Sequence, residues 1–101
     1  MIQDPREGAQ YALGETVEVH SVFSASGGAG AFRLLANEQG VRHDPFTSPL
    51  KNGDIYQPWR PPAEGVYYLV VVLEDSTGGE YRSQPVTIHV VGYVATVTPS
   101  A

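Results

Sequence analysis

The stretch that decides the fold is residues 59–91, which read WRPPAEGVYYLVVVLEDSTGGEYRSQPVTIHVV. A proline-rich corner comes first, followed over 65–74 by β-branched and aromatic residues that are typical of a strand. A Ser-Thr-Gly-Gly turn over 76–79 then reverses the chain. Val86, Ile88 and Val90 occupy alternate positions of a second strand over 86–91. This order predicts the closing hairpin of a β-sandwich.

Further strands are predicted at near-regular spacing in the rest of the chain. The clearest covers residues 16–24, where Val17, Val19 and Phe23 alternate with Glu18 and other outward positions. The others cover residues 9–13, 31–37, 39–42 and 55–59. No window has a period of 3.6 residues, and Gly or Pro interrupts every one, so no helix is predicted. Seven short strands with frequent turns indicate an all-β, antiparallel sandwich with Greek-key connections.

Two short features predict how the middle strands are arranged. Asn52-Gly53 is a strong signal for a two-residue hairpin, because both residues tolerate positive φ. Pro58 lies within the predicted strand over 55–59 and lacks a backbone N–H, so this strand is expected at a sheet edge or a bulge.

Charge and cysteine content exclude several classes of partner and site. The chain has 101 residues, 11 of them acidic and 6 basic, giving a net charge of −5. Such a chain repels phosphate backbones and anionic lipid, so neither nucleic acid nor a membrane surface is expected as a partner. Cysteine is absent, which removes disulfides and thiolate metal sites. No apolar run reaches membrane-spanning length, and the first residues predict no signal peptide.

Several motifs together resemble the bacterial immunoglobulin-like domains of secreted and surface proteins, which are similar in fold to fibronectin type III modules. The matching segments are 14–19 (GETVEV), 59–62 (WRPP), 65–69 (GVYYL), 75–78 (DSTG) and 83–90 (SQPVTIHV). The resemblance implies an immunoglobulin-like sandwich and a non-catalytic spacer, presentation or adhesion module. It also implies an extracellular or cell-surface location in bacteria.

The predicted domain organisation has three parts. Residues 1–8 form an N-terminal arm, residues 9–91 the sandwich, and residues 92–101 either a strand extension or a linker to a following domain. The expected partners are neighbouring domains of the same chain, together with a possible protein or carbohydrate ligand.

The long strand over 65–74 supplies the candidate binding residues. Tyr67 shares a parity with the core and, by the resemblance, would form a tyrosine corner whose hydroxyl bonds to backbone near Pro62. Tyr68, Val70 and Val72 have the opposite parity and so lie away from the core. They either form a patch for a partner or a neighbouring domain, or are covered by adjacent side chains.

The sequence gives only weak signals for phosphate, metal or catalytic sites. Gly27-Gly28-Ala29-Gly30 precedes a strand rather than a helix, so it predicts a turn and not a phosphate cradle. His20, His43 and His89 lack metal-ligand spacing, and nothing predicts a catalytic residue or a cofactor. Calcium at a domain boundary stays open, with oxygen ligands available in Glu74-Asp75 or in the N-terminal carboxylates Asp4, Glu7 and Glu15.

Two alternatives to a spacer remain open from the sequence. One is a carbohydrate- or protein-binding module that uses Tyr68, Val70, Val72 or the end of the domain with the Gly-rich loop. A sugar ligand would contact Tyr68 or Tyr56. The other is a self-associating structural domain of a phage or surface assembly, in which the Tyr68 and Val70 face would be buried between copies.

Overall fold

The computed structural model describes residues 1–92, without the side chains of residues 47–49. It is all-β over this range. The strands are β1 (Ile2–Asp4), β2 (Ala9–Ala12), β3 (Val17–Ala36), β4 (Gln39–Trp59), β5 (Gly65–Asp75), β6 (Glu80–Arg82) and β7 (Val86–Val91). The predicted extension or linker lies outside the described residues beyond Gly92. The predicted arm over 1–8 contains β1, which pairs with β3.

Two long strands connect the layers of the sandwich, because each contributes to both sheets. Residues 17–24 of β3 pair with residues 52–59 of β4, and β1 lies on the other side of β3. Residues 31–36 of β3 pair instead with residues 39–45 of β4 and with β5. The second sheet continues through β5 to β7 and β2, and β6 pairs with the end of β5. The strands predicted over 16–24 and 31–37 are therefore two halves of β3.

One strand pair departs from the expected antiparallel arrangement. β2 runs parallel to β7, with Ala9 opposite Ile88 and Ala12 opposite Val91. The reason is the path of the N-terminal segment, which leaves β1 on the first sheet and crosses to the edge of the second. β2 therefore runs in the same direction as β1, and β7 also runs in that direction. All other pairs are antiparallel.

The core lies between the two sheets and consists mainly of aliphatic side chains. Its fully buried members are Val17, Val19, Ala29, Phe32, Leu34, Leu69 and Ile88. Alternate positions of β3 and β5 face this layer, as the period of two in the sequence predicts. Burial of this apolar surface is the main source of stability in a domain without disulfides.

The hairpin predicted at Asn52-Gly53 is wrong. Both residues lie inside β4, where Gly53 pairs with Phe23 and a Cβ on it would be 3.8 Å from the Phe23 ring. The two-residue turn is instead Asn37-Glu38, with φ of 51° and 68°, between β3 and β4. Asn37 is held there by tertiary hydrogen bonds: its Oδ1 accepts from Tyr68 N at 2.9 Å, and its Nδ2 donates to Val66 O at 3.3 Å.

The edge position predicted for Pro58 is confirmed. Residues 52–59 of β4 pair only with β3 among the described strands, and Pro58 stands opposite Glu18. A residue without an N–H is tolerated on an edge strand because its nitrogen can face solvent.

The sandwich has two distinct ends. At the turn pole, the bend of β3 over 24–28 meets the turn over 76–79: Ser76 N donates to Gly28 O at 3.0 Å, and Ser76 Oγ donates to Gly27 O at 2.7 Å. At the corner pole, residues 60–64 connect the sheets. Leu13 N donates there to Val91 O at 2.7 Å.

Candidate functional site

The predicted patch on β5 is only partly exposed. Tyr68 has 55% of its surface accessible, but Val70 has 6% and Val72 has 1%. Of the two alternatives, coverage by adjacent side chains holds for both valines, and only Tyr68 is exposed. Parity did place them on the outer face, but neighbouring side chains cover that face.

Cross-strand neighbours explain the burial of the two valines. Val70 pairs with Leu35, and these two with Val72 form a small apolar cluster outside the main core. Val72 lies between Arg33 on β3 and Arg82 on β6. Directly opposed residues share a face, and the aliphatic stems of arginine cover apolar surface while the guanidinium stays in water.

Charged pairs hold these two arginines in place across the outer face. Arg33 Nε lies 2.7 Å from Glu74 Oε1, and its Nη2 lies 2.9 Å from Glu80 Oε1. Arg82 Nη2 donates to both carboxylate oxygens of Glu38, at 2.6 and 2.8 Å. These ion pairs place the ends of both arginine side chains above the cluster, where the Arg82–Glu38 pair stays largely exposed to solvent.

A shallow groove of about 540 Å³ lies beside Tyr68, and we call it the Tyr68 groove. Its lining combines one exposed aromatic ring, apolar side chains and the Arg82–Glu38 pair. The residues are Asn37, Glu38, Tyr68, Val70, Arg82, Ser83 and Pro85. The structure thus brings Tyr68 and Val70 together in one concave surface and leaves Val72 out of it.

A second concavity runs along the flank of the sandwich, between β1 and β3 of one sheet and β5 and β6 of the other. One part, of about 220 Å³, has Phe23, Phe32, Val71 and Leu73 in its lining. The other part, of about 510 Å³, extends to the turn pole past Ser24 and Tyr81. We call the two parts together the flank groove.

A polar contact joins the two sheets on the opposite flank. Asp44 Oδ2 accepts from Arg42 Nε at 2.8 Å and from Gln57 Nε2 at 3.0 Å, and Gln57 is fully buried. Arg42 Nη1 also donates to Pro58 O at 3.1 Å. Partial burial alone would raise the pKa of Asp44, but the hydrogen bonds from Arg42 and Gln57 outweigh it and hold that pKa below its usual value.

The acidic groups proposed as calcium ligands make internal hydrogen bonds. Asp75 Oδ1 accepts from Gly79 N at 2.6 Å and from Thr77 N and Oγ1 at 2.9 Å, which lowers the pKa of Asp75. Glu7 Oε1 accepts from Thr87 N at 2.9 Å, and Glu15 Oε1 from Ala12 N at 3.0 Å. Within residues 1–92, no three histidines or carboxylates converge on one point.

The histidines lie apart and have different surroundings. His20 stacks on Tyr56 with ring centroids 4.3 Å apart and planes 5° from parallel, and its Nε2 lies 3.6 Å from Asp54 Oδ2. His43 Nε2 is 3.9 Å from Glu74 Oε2. His89 lies on β7 opposite Val66. None of the described residues belongs to a helix that could cross a bilayer.

The tyrosine corner predicted at Tyr67 is confirmed. Tyr67 donates its hydroxyl hydrogen to Ala63 O at 2.7 Å, and Trp59 meets the Tyr67 ring edge-on with centroids 5.2 Å apart. Both rings pack against the main core. The two rings therefore close the corner pole.

Sequence reasoning missed Asn37, Asp44 and Gln57. Asn37 carried a usable signal, since Asn followed by a polar residue between two strands suits a turn with positive φ. Asp44 and Gln57 carried no signal in the sequence, because their contact joins two sheets and depends on the register of β4.

Comparison with known proteins agrees with this architecture. No protein-family model matches the chain, and no curated protein matches it. Among solved structures, the chain is similar to the fibronectin(III)-like modules of Clostridium thermocellum CbhA, with a TM-score of 0.76 and 18% sequence identity. The match covers 94% of this chain and 98% of that one. In its fold the chain is an immunoglobulin-like β-sandwich of the fibronectin(III)-like kind.

Proposed function

We propose that this chain is a non-catalytic spacer or presentation module of a larger bacterial secreted or cell-surface protein. The observation that carries the proposal is that the two ends of the described chain lie at opposite poles of the sandwich. Met1 bonds to Val22, two residues before the bend at the turn pole, whereas Val91 bonds to Leu13 at the corner pole. Such a module adds its own length between whatever is attached at its two sides.

The pairing of the terminal strands suits this role. β2 and β7 run parallel, so a force pulling the N-terminal side toward the turn pole and the C-terminal side toward the corner pole shears their hydrogen bonds together. When two strands are sheared, several of the hydrogen bonds between them resist the force at once. When two strands are unzipped, the hydrogen bonds break one at a time. Neighbouring domains of the same chain are the partners this function requires, and an extracellular or surface location accords with it.

The spacer function can be tested by placing residues 1–101 between a donor and an acceptor fluorescent protein with short junctions. Energy transfer should be low, with one narrow distribution of donor lifetimes. The matched control is a Gly-Ser segment of equal residue number, which samples many separations. A lifetime distribution as broad as that of the control would contradict the proposal.

A ligand-binding module is the second candidate, and the Tyr68 groove favours it. An exposed ring beside the Arg82–Glu38 pair offers both a stacking surface and hydrogen-bonding groups. Screening the protein against carbohydrate and peptide arrays, with Tyr68→Ala as the comparison, tests it. Binding that is lost in Tyr68→Ala and retained in Tyr56→Ala would support this groove as the site.

A further inference from the structure

Glu38 stands at a turn position that glycine normally occupies. It follows Asn37 in the turn between β3 and β4, where both residues have positive φ, and turns of this kind favour Asn followed by Gly. The hydrogen bonds from Asn37 to Tyr68 and Val66 account for the first of the two residues. The second is glutamate at a φ of 68°, a conformation that side chains other than those of Asn and Asp rarely adopt.

Stability of the fold does not account for this glutamate. The Glu38 side chain is 70% exposed, and within the described part of the chain its hydrogen-bond partner is Arg82. Exposed ion pairs contribute little to the free energy of unfolding. Residues held in sparsely populated backbone conformations cluster at binding sites, where their side chains are needed in one place. Glu38 is held in this way at the wall of the Tyr68 groove.

The Arg82–Glu38 pair leaves donors and acceptors side by side. Arg82 donates to Glu38 from Nη2 alone, so the hydrogens on Nε and Nη1 have no protein partner among the described residues. Each carboxylate oxygen of Glu38 keeps a lone pair free, and the pair as a whole carries no net charge. A neutral group that both donates and accepts hydrogen bonds therefore fits the pair. An ionic group would have to compete with one member of the pair for the other.

The backbone beneath the groove is already hydrogen-bonded. Tyr68 O accepts from Asn37 N at 3.0 Å, and Tyr68 N donates to Asn37 Oδ1 at 2.9 Å. Val71 N donates to Ser83 Oγ at 2.9 Å, and Val71 O accepts from Ser83 N at 2.9 Å. By alternation Val70 turns its backbone groups to β3, with which it pairs. A peptide cannot add a strand to β5 here, so the groove must recognise its ligand through side chains.

We propose that the Tyr68 groove binds a neutral sugar residue in the pyranose form. This inference rests on the ligand-binding candidate above and names the class of its ligand. One C–H face of the sugar stacks on Tyr68, with Val70 and Pro85 beside it, and two adjacent hydroxyls bond to Glu38 and Arg82. A pyranose with equatorial hydroxyls matches this surface, because it is apolar on its faces and polar along its rim. The groove volume of about 540 Å³ is typical of small-molecule sites.

Titration of the full chain with methyl β-glucopyranoside, followed by NMR, tests the proposal. We expect a Kd on the order of 1 mM, with shift changes concentrated at residues 37–38, 68–70 and 82–85. Tyr68→Ala should raise the Kd at least about tenfold. Tyr56→Ala is the matched control, since it removes an equally exposed tyrosine from the other sheet and should leave the Kd unchanged. Shift changes elsewhere, or equal effects of the two variants, would overturn the proposal.

Glu38→Gly separates binding from stability. Glycine accepts a φ of 68° without strain, so the folding equilibrium constant should equal that of wild type or exceed it. The Kd for the glucoside should nevertheless rise at least about fivefold, because the acceptors are lost. An unchanged Kd would overturn the proposal. A folding constant about tenfold lower would also overturn it, since the fold would then account for Glu38.

Two further probes test the class of ligand. The methyl glucuronoside has the same ring with a carboxylate, and N-acetyltyrosinamide has a flat ring without adjacent hydroxyls. Both should bind more weakly than the glucoside. If either binds more tightly at residues 68–70, the sugar proposal is overturned and the groove remains a ligand site of another class. If no probe shifts these residues, the ligand-binding candidate fails as well, and the spacer function is unaffected by either result.

Discussion

The hydroxyl of Tyr67 donates to the carbonyl of Ala63 at 2.7 Å, and this bond ties the start of β5 back to the corner that precedes it. The corner is also where Trp59, the last residue of β4, packs edge-on against the Tyr67 ring. The connection between the two sheets is therefore set by one aromatic pair and one hydrogen bond.

Tyr67→Phe removes that hydrogen bond and keeps the ring. We expect the free energy of unfolding to fall by about 1 kcal/mol, the usual net value of one such bond. Urea denaturation followed by Trp59 fluorescence measures the change. Tyr68→Phe is the matched control, because it alters a neighbouring tyrosine whose ring is exposed. Equal losses in both variants would show that the corner bond has no special role.

Val70→Glu should destabilise the fold strongly, because it places a charge in the apolar cluster with Leu35 and Val72. We expect a loss of about 3–5 kcal/mol, typical of an uncompensated buried charge. Val66→Glu on the same strand is the control, since Val66 is 43% exposed and the expected loss is within about 0.5 kcal/mol. Thermal unfolding of both variants checks the prediction, and two similar melting temperatures would contradict it.

The same valines show how far the sequence could predict the structure. The period of two placed Tyr67 inward and Tyr68 outward correctly, because parity follows from strand geometry alone. Parity alone could not predict that Val70 and Val72 are buried. That burial depends on Leu35, Arg33 and Arg82, which reach β5 only through the register of other strands.

The residues typical of turns were equally poor predictors of where the chain turns. Asn52-Gly53 suits a hairpin, yet the tertiary contacts of Asn37 place the turn at Asn37-Glu38, and Gly53 instead lies inside β4 opposite Phe23. The Asp44–Gln57 contact and the flank groove were invisible for the same reason. Both exist only after the two sheets have been brought together.

Asp44→Asn should make the free energy of unfolding less dependent on pH in the acidic range. The pKa of Asp44 is lowered in the fold, so its carboxylate stabilises the protein above the unfolded-state value of about 3.9, and this contribution is lost as pH falls through the lower folded value. The difference in unfolding free energy between wild type and Asp44→Asn should be about 1–2 kcal/mol at pH 7. It should shrink below about pH 4.

Denaturant titrations between about pH 3 and pH 7 measure this difference. Glu18→Gln is the control, because Glu18 is an exposed carboxylate on β3. A wild-type advantage over Asp44→Asn that stays constant over the whole pH range would contradict the assigned role of Asp44.

Asn37→Ala should cost about 1–2 kcal/mol, because it removes the bonds to Tyr68 N and Val66 O and leaves a non-glycine residue at φ of 51°. Asn37→Gly separates the two causes, since glycine accepts this φ but also lacks the side chain. Its loss should lie between those of wild type and Asn37→Ala. If Asn37→Gly is as stable as wild type, the side-chain bonds contribute nothing.

The spacer function is tested most directly by pulling the single domain through its two ends in a force spectrometer. The shear geometry of β2 and β7 predicts one cooperative unfolding event at a defined force. Leu13→Pro, which removes the bond from Leu13 N to Val91 O, should lower that force, and Leu13→Ala, which keeps the N–H, should not. A chain that extends gradually without a force peak, or equal forces in both variants, would contradict the account.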